Sequence, residues 1–191
     1  YISKKMHGKI LDKKEITSII QDIVNNTLTE AEIAYFVLGV YESGMTIKEN
    51  IYLTEAIYKT GEILSWSRDR KIVDKHSIGG IPGNRTTPIV VAICASLGVT
   101  MPKTSSRAIT SASGTADTME TITNVDFSAN ELKKIVNKIG ACLAWGGSLG
   151  LAPADDKLIR VERLLNLDPE SQLIASILAK KLAVGSKYIL I

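Results

Sequence analysis

Residues 75–86, Lys-His-Ser-Ile-Gly-Gly-Ile-Pro-Gly-Asn-Arg-Thr, constrain this chain more than any other stretch. They place three glycines among donor side chains, between a short apolar strand (Ile72, Val73) and an apolar run from Pro88 to Val99. Glycine lets backbone N–H groups approach an anion closely, and a following helix points its positive end at that anion. A strand, a glycine-rich polar loop and a helix therefore predict a site for phosphate or a phosphorylated ligand. The lysine precedes the glycines, so the loop is not a Walker A motif, and its spacing is not that of a dinucleotide fingerprint. A tight β–α turn with incidental polar residues would use the same glycines.

The pattern on either side of the loop sets the architecture. Residues 1–65 read as three amphipathic helices. Asp12 with Glu15, Thr29 with Glu32 and Thr46 with Glu49 form capping boxes, and Leu11 and Ile16 are spaced as a hydrophobic staple. Ile16, Ile19, Ile20, Ile23 and Val24 make one apolar stripe. Three such helices bury little alone and require a partner surface.

From Arg70 the pattern alternates: strands at 72–73, 99–102 and 141–145, helices at 86–97, 116–122 and 128–140. That order predicts a parallel sheet. Two further helices follow, 155–165 and one opened by Asp168-Pro169, and Tyr188 to Ile191 reads as a buried strand. The predicted fold class is α/β with two domains. A helical domain comprises 1–65 and 153–186. A parallel-sheet, phosphate-binding domain comprises 70–152 and 187–191 and is expected to continue beyond the chain. A cleft between them is the expected ligand site.

Composition narrows the partners. The 191 residues carry a net charge of +3 with the basic residues dispersed, which argues against nucleic acid or a polybasic membrane surface. No apolar run approaches the roughly 18 residues of a membrane span, and the start lacks a signal-peptide core. Cys94 and Cys142 lie in apolar segments and read as reduced core thiols, so a cytoplasmic setting is expected. His7 and His76 are far apart and no Cys/His cluster has metal spacing.

A second polar loop, Thr104 to Thr115, follows the next strand. Six of the ten residues from 104 to 113 are Ser or Thr, and Arg107 is suited to grip phosphate. Loops after successive parallel strands share the carboxyl edge of the sheet, where ligands bind. A flexible serine-rich linker is the alternative. Four residues keep more than one reading. His76 is an acid or phosphate donor, or a turn residue. Asp168 is a helix N-cap, or an acid with a pKa raised by burial or substrate. Lys180 shares a helix face with Ser176 that could meet the cleft, and Lys180 and Lys181 otherwise face solvent.

Lys75-His-Ser-Ile-Gly-Gly80 resembles the Lys-His-Ser-Thr-Gly-Gly signature of the thymidine and pyrimidine-nucleoside phosphorylase family. Ser105-Ser-Arg107, Gly114-Thr115 and Ala175-Ser-Ile-Leu-Ala-Lys-Lys181 fit the same family in order. Gly79-Gly-Ile-Pro-Gly-Asn84, Ser106 to Ser111 and Ile159-Arg-Val-Glu-Arg163 resemble its archaeal AMP phosphorylase branch. The arginine that grips pyrimidine in the thymidine enzymes falls on or beside Val161, flanked by Arg160 and Arg163.

The resemblance implies phosphorolysis of AMP to adenine and ribose 1,5-bisphosphate in nucleotide salvage. Inorganic phosphate would be co-substrate, with no metal or other cofactor. It implies that Lys75, Ser77, Thr86, Ser105 and Thr115 hold phosphate. Gly80, Ser106, Arg107, Ala108, Ile109, Thr110, Ser111 and Thr115 would hold the nucleotide, with Ser176 and Lys180 at the base. Asp168 would protonate the leaving base and His76 would lie near the ribose. It further implies a homodimer or higher homo-oligomer built through the helical domain. The alternatives are a pyrimidine-nucleoside phosphorylase, an anthranilate phosphoribosyltransferase-type enzyme, and an inactive phosphate-binding or dimerisation module.

Overall fold

The computed structural model describes residues 1–77, 85–108 and 113–191. In chain order the elements are α1 (Ile2–Met6), α2 (Lys13–Val24), α3 (Glu30–Ser43), α4 (Ile47–Tyr58), β1 (Val73–Lys75), α5 (Thr86–Ser96), β2 (Met101–Ser105), α6 (Thr115–Glu120), α7 (Ala129–Ile139), β3 (Ala141–Trp145), a 3₁₀ turn (Gly146–Leu149), α8 (Pro153–Leu165), α9 (Glu170–Ala183) and β4 (Tyr188–Leu190). They form two compact units, Tyr1–Gly61 with Ala152–Ala179, and Glu62–Leu151 with Lys180–Ile191.

The first unit is all helical. Its helices begin where the sequence places capping boxes: at α2 the Glu15 N–H donates to Asp12 Oδ1 at 2.9 Å, and the Asp12 N–H donates to Glu15 Oε2 at 2.9 Å. The same reciprocal pair opens α3 and α4 and satisfies N–H groups that helix geometry leaves unpaired. The apolar stripe of α2 is buried with Phe36 and Val37 of α3, Leu53 and Ile57 of α4, and Leu158 and Val161 of α8. This interleaving supplies the partner surface that the first helices lack alone.

One element departs from expectation. Residues 2–6, which precede the first of the three expected helices, form α1. Lys5 is buried because its Nζ meets Glu49 Oε1 at 2.9 Å, and the same oxygen accepts the Leu11 N–H at 3.0 Å. Gly39 of α3 makes room: a Cβ there would lie 3.1 Å from the Met6 nitrogen. A buried charge is tolerated when paired and hydrogen-bonded, and spacing along a short segment does not disclose a partner 44 residues away.

The second unit is α/β. β1 pairs in parallel with β4, β2 pairs in parallel with β3, and a parallel bridge between Ile72 and Thr100 joins the two pairs. All five residues of β2 are buried, as expected of a parallel strand covered on both faces. β4 corrects the expectation of a buried strand: Tyr188 and Leu190 are exposed, because among the described residues β4 has a strand, β1, on one side alone. Cys142 of β3 is buried, which pushes its thiol pKa up to about 11, while Cys94 is only partly buried. Among the described residues, no helix is long and apolar enough to cross a membrane.

Candidate active site

The parallel register sends the ends of β1, β2 and β3 to one carboxyl edge. Lys75 ends β1, Ser105 ends β2 and Trp145 ends β3. Lys75 Nζ donates to the Ser77 hydroxyl and lies 3.4 Å from Thr86 Oγ1. Three predicted phosphate ligands, from the two ends of the glycine loop, are thereby gathered around one ammonium group. Burial lowers the Lys75 pKa; the Asp74 carboxylate opposes the shift and Lys181 adds to it. Gly80, Ile109, Thr110 and Ser111 lie outside the described residues.

His76 is half-buried. Desolvation, followed by the charge of Lys181 and the lysine-rich surroundings, pushes its pKa down to about 3. The imidazole is thus neutral near pH 7, able to donate or accept a hydrogen bond but not to act as an imidazolium acid.

The second loop is stapled by an acid that the sequence reading passed over. Asp117 Oδ2 accepts the Ala108 N–H at 2.8 Å and the Gly114 N–H at 2.9 Å. Gly114 is required for this closure, because a Cβ there would lie 2.5 Å from the Ser106 carbonyl oxygen and 2.9 Å from the Arg107 carbonyl carbon. The Ala116 N–H reaches the Ser106 carbonyl at 3.4 Å, so Ser106, Ala108 and Thr115 stay close to one another. Arg107 sits 4.0 Å over the Trp145 ring, and its Nη2 pairs with Glu120 Oε1 at 2.6 Å. The guanidinium expected to grip phosphate is docked on an aromatic face and a carboxylate.

Behind these loops lies a buried charge cluster. Asp74 is fully buried; Lys181 Nζ is 2.8 Å from its Oδ2, and Lys103 Nζ is 3.8 Å from its Oδ1. Lys181 also donates to the Thr104 carbonyl at 3.0 Å and hydroxyl at 3.2 Å. The solvent-facing reading of Lys181 is therefore corrected: its side chain is 2% exposed. The neighbouring Lys180 is half-buried, and a Cβ on Gly146 would lie 3.7 Å from its Cδ. A lysine in a strand with no solvent-facing side was the available signal for Lys103, since that position cannot be solvated.

Asp168 and Ser176 belong to the helical unit. α9 begins at Glu170, and the Leu173 N–H donates to the Pro169 carbonyl at 2.9 Å. That bond puts Pro169 at the cap and Asp168 one residue outside the helix, contrary to the N-cap reading. Partial desolvation raises the Asp168 carboxyl pKa, although the residue as a whole is exposed. Ser176 Oγ donates to Asp155 Oδ2 at 2.8 Å. In the same unit Val161 is buried in the core and Arg160 pairs with Glu30 at 2.5 Å.

Two family profiles match consecutive parts of the chain: a glycosyl transferase family helical bundle domain over residues 1–61, and the α/β domain of that family over residues 69–185. The chain is 56% identical to an AMP phosphorylase of Pyrococcus furiosus over 191 residues, all of this chain and 38% of that protein. It is 53% identical to an AMP phosphorylase of Thermococcus kodakarensis, again over the whole chain and 38% of the relative. A protein of Ralstonia nicotianae provisionally named a thymidine phosphorylase is 53% identical, with the whole chain aligned to 37% of its length. The chain thus spans under two fifths of the curated relatives it matches. Anthranilate phosphoribosyltransferase from Thermus thermophilus shares the fold, with a TM-score of 0.79 at 17% identity over 99% of this chain and 57% of that one. With both profiles matched in order and relatives above half identity along its whole length, the chain belongs to the glycosyl transferase family of helical-bundle and α/β domains.

Proposed function

We propose that this chain supplies the phosphate- and base-binding part of an AMP phosphorylase. Phosphate attacks C1′ of the ribose of AMP, the bond from C1′ to the base nitrogen breaks, and its electron pair leaves with adenine as ribose 1,5-bisphosphate forms. The observation that carries the reading is the arrangement of Lys75 with Ser77 and Thr86, placed at the same sheet edge as Ser105. A cation among hydroxyls positions a phosphate nucleophile with little loss of entropy in the reaction step.

In this reading Asp168 protonates the departing base. Its raised pKa keeps more of the acid form available toward neutral pH. His76, neutral at that pH, hydrogen-bonds near the ribose rather than donating a proton. Thr115 and the stapled 106–108 backbone hold the nucleotide with Arg107, and Ser176 and Lys180 flank the base. Phosphate is the co-substrate, no metal takes part, and the protein acts in the cytoplasm as a homo-oligomer.

Two observations favour AMP over a pyrimidine nucleoside: relatives named AMP phosphorylase at up to 56% identity, and Val161 buried where a pyrimidine-gripping arginine would fall, with Arg160 engaged by Glu30. The test is base release from AMP, CMP, UMP and thymidine by the intact protein, with and without phosphate. Adenine release from AMP that requires phosphate is the expected result. Phosphate-dependent release of thymine alone would establish the pyrimidine-nucleoside alternative, and release without phosphate would remove phosphorolysis altogether.

A further inference from the structure

The buried cluster holds two lysines and one carboxylate, and its geometry says which lysine is left over. Asp74 Oδ2 is taken by Lys181 Nζ at 2.8 Å, and Asp74 Oδ1 by the Lys75 backbone N–H at 2.7 Å. Lys103 Nζ stands 3.8 Å from that second oxygen, beyond hydrogen-bond distance. Its Nζ meets the Thr104 carbonyl and, at 3.2 Å, the Ser105 hydroxyl, with the Lys181 side chain beside it. Lys103 is 3% exposed in a strand buried throughout. A second ammonium in such a place is costly unless an anion arrives to balance it. Ser105, which Lys103 touches, opens the second donor loop.

We propose that Lys103 is a positioning residue that couples anion binding to proton uptake: a dianion seated by Lys75, Ser77 and Ser105 draws one proton from solvent onto the Lys103 amine, and the resulting ammonium turns the Ser105 hydroxyl toward that anion. This rests on the phosphate reading given above. The step is a simple protonation, in which the lone pair of Nζ forms the new N–H bond and no other bond breaks. As a free amine, Nζ accepts the Ser105 O–H, so that proton is unavailable to a ligand. As an ammonium, Nζ donates to the Ser105 oxygen, and the hydroxyl proton is released to bond an anion oxygen.

The surroundings favour this exchange. Desolvation, followed by the charge of Lys181, holds the Lys103 amine well below its ordinary pKa; Asp74 opposes the shift and Lys75 adds to it. Among the described residues, the titratable groups facing Lys103 are Asp74, Lys75 and His76 from the β1 side and Lys181 from α9. His76 begins too low to compete, at about 3.

Titration calorimetry of the intact protein with sulfate at pH 8, in buffers of different ionisation enthalpy, tests the proposal. Sulfate keeps one charge state at that pH, so any proton taken up is the protein's. Wild type is expected to take up protons on binding, so that the heat depends on the buffer's ionisation enthalpy. Lys103→Met is expected to take up none and to bind sulfate at least about tenfold more weakly, while His76→Asn retains the uptake. Sulfate binding to wild type with no dependence on buffer overturns the proposal without any variant and leaves the phosphate site standing. Uptake that persists in Lys103→Met also overturns it. Failure of wild type to bind sulfate or phosphate at all overturns the phosphate reading, and this proposal with it.

Discussion

Asp74 and Lys181 meet at 2.8 Å with side chains 0% and 2% exposed, joining the strand that opens the glycine loop to the end of α9. Lys181 also holds the Thr104 carbonyl on β2, so one ammonium ties together the strands from which both donor loops depart. Removing one partner of such a pair leaves an uncompensated buried charge. Asp74→Asn is expected to destabilise the α/β unit by about 3–5 kcal/mol, measured by chemical denaturation. The loss in Asp74→Asn with Lys181→Met should be smaller than the sum of the two single losses, because the residues act as one unit.

Asp168→Asn in the intact protein should lower kcat by roughly 10²–10⁴-fold with KM for AMP nearly unchanged, the scale of a lost general acid. Because the acid form is the active one, the wild-type rate should fall on the alkaline side as Asp168 deprotonates, at a pH higher than an unperturbed aspartate would set. The variant should lack that limb. A pH–rate profile that keeps the limb in Asp168→Asn removes the residue from proton transfer.

His76 binds fewer protons folded than unfolded, since its pKa is about 3 in the fold against 6.5 ordinarily. The unfolded state therefore gains stability from protonation as pH falls below 6.5, and the contribution of neutral His76 is lost progressively toward pH 3. Denaturation midpoints of wild type should drop between pH 6.5 and 5 more steeply than those of His76→Asn. Parallel slopes would mean that His76 is not held neutral by its surroundings.

Arg107 spans three partners, the Trp145 ring, Glu120 and, at 4.0 Å, Asp117. Arg107→Ala should weaken binding of AMP or phosphate by about 1.5–3 kcal/mol, the scale of a charged hydrogen bond. In a Trp66→Phe background, which leaves Trp145 as the single tryptophan of these 191 residues, anion binding should shift the emission as the guanidinium leaves the ring. An emission spectrum unmoved by saturating phosphate, with unchanged affinity in Arg107→Ala, would assign Arg107 to loop structure alone.

Lys157 caps α2 from α8: its Nζ donates to the carbonyls of Ile23 at 2.9 Å and Val24 at 2.8 Å, and to Asn26 Oδ1 at 2.6 Å. Lys157→Met should cost the helical unit about 1–2 kcal/mol by exposing the negative end of α2. A thermal scan of the variant that matches wild type would show that water replaces the lysine at no cost.

Local rules set much of this protein. Asp12 with Glu15 and Ser128 with Glu131 start helices through bonds between residues three apart, and the apolar spacing of Ile16, Ile19, Ile20 and Ile23 fixes which face of α2 is buried. The alternation after Arg70 gave the parallel strands, because period and order are properties of neighbouring residues. The phosphate expectation for residues 75–86 has the same local origin, glycine and donors side by side. The tertiary structure decided where the charges went. Lys5 met Glu49, Lys181 met Asp74, and Lys103 was left beside Ser105. In one dimension Lys5 and Lys181 are compatible with solvated cations, and for none of the three does the local sequence name the partner. Only when distant strands and helices close around them does the cost of desolvating a charge select its partner, and that cost depends on the fold rather than on the residue.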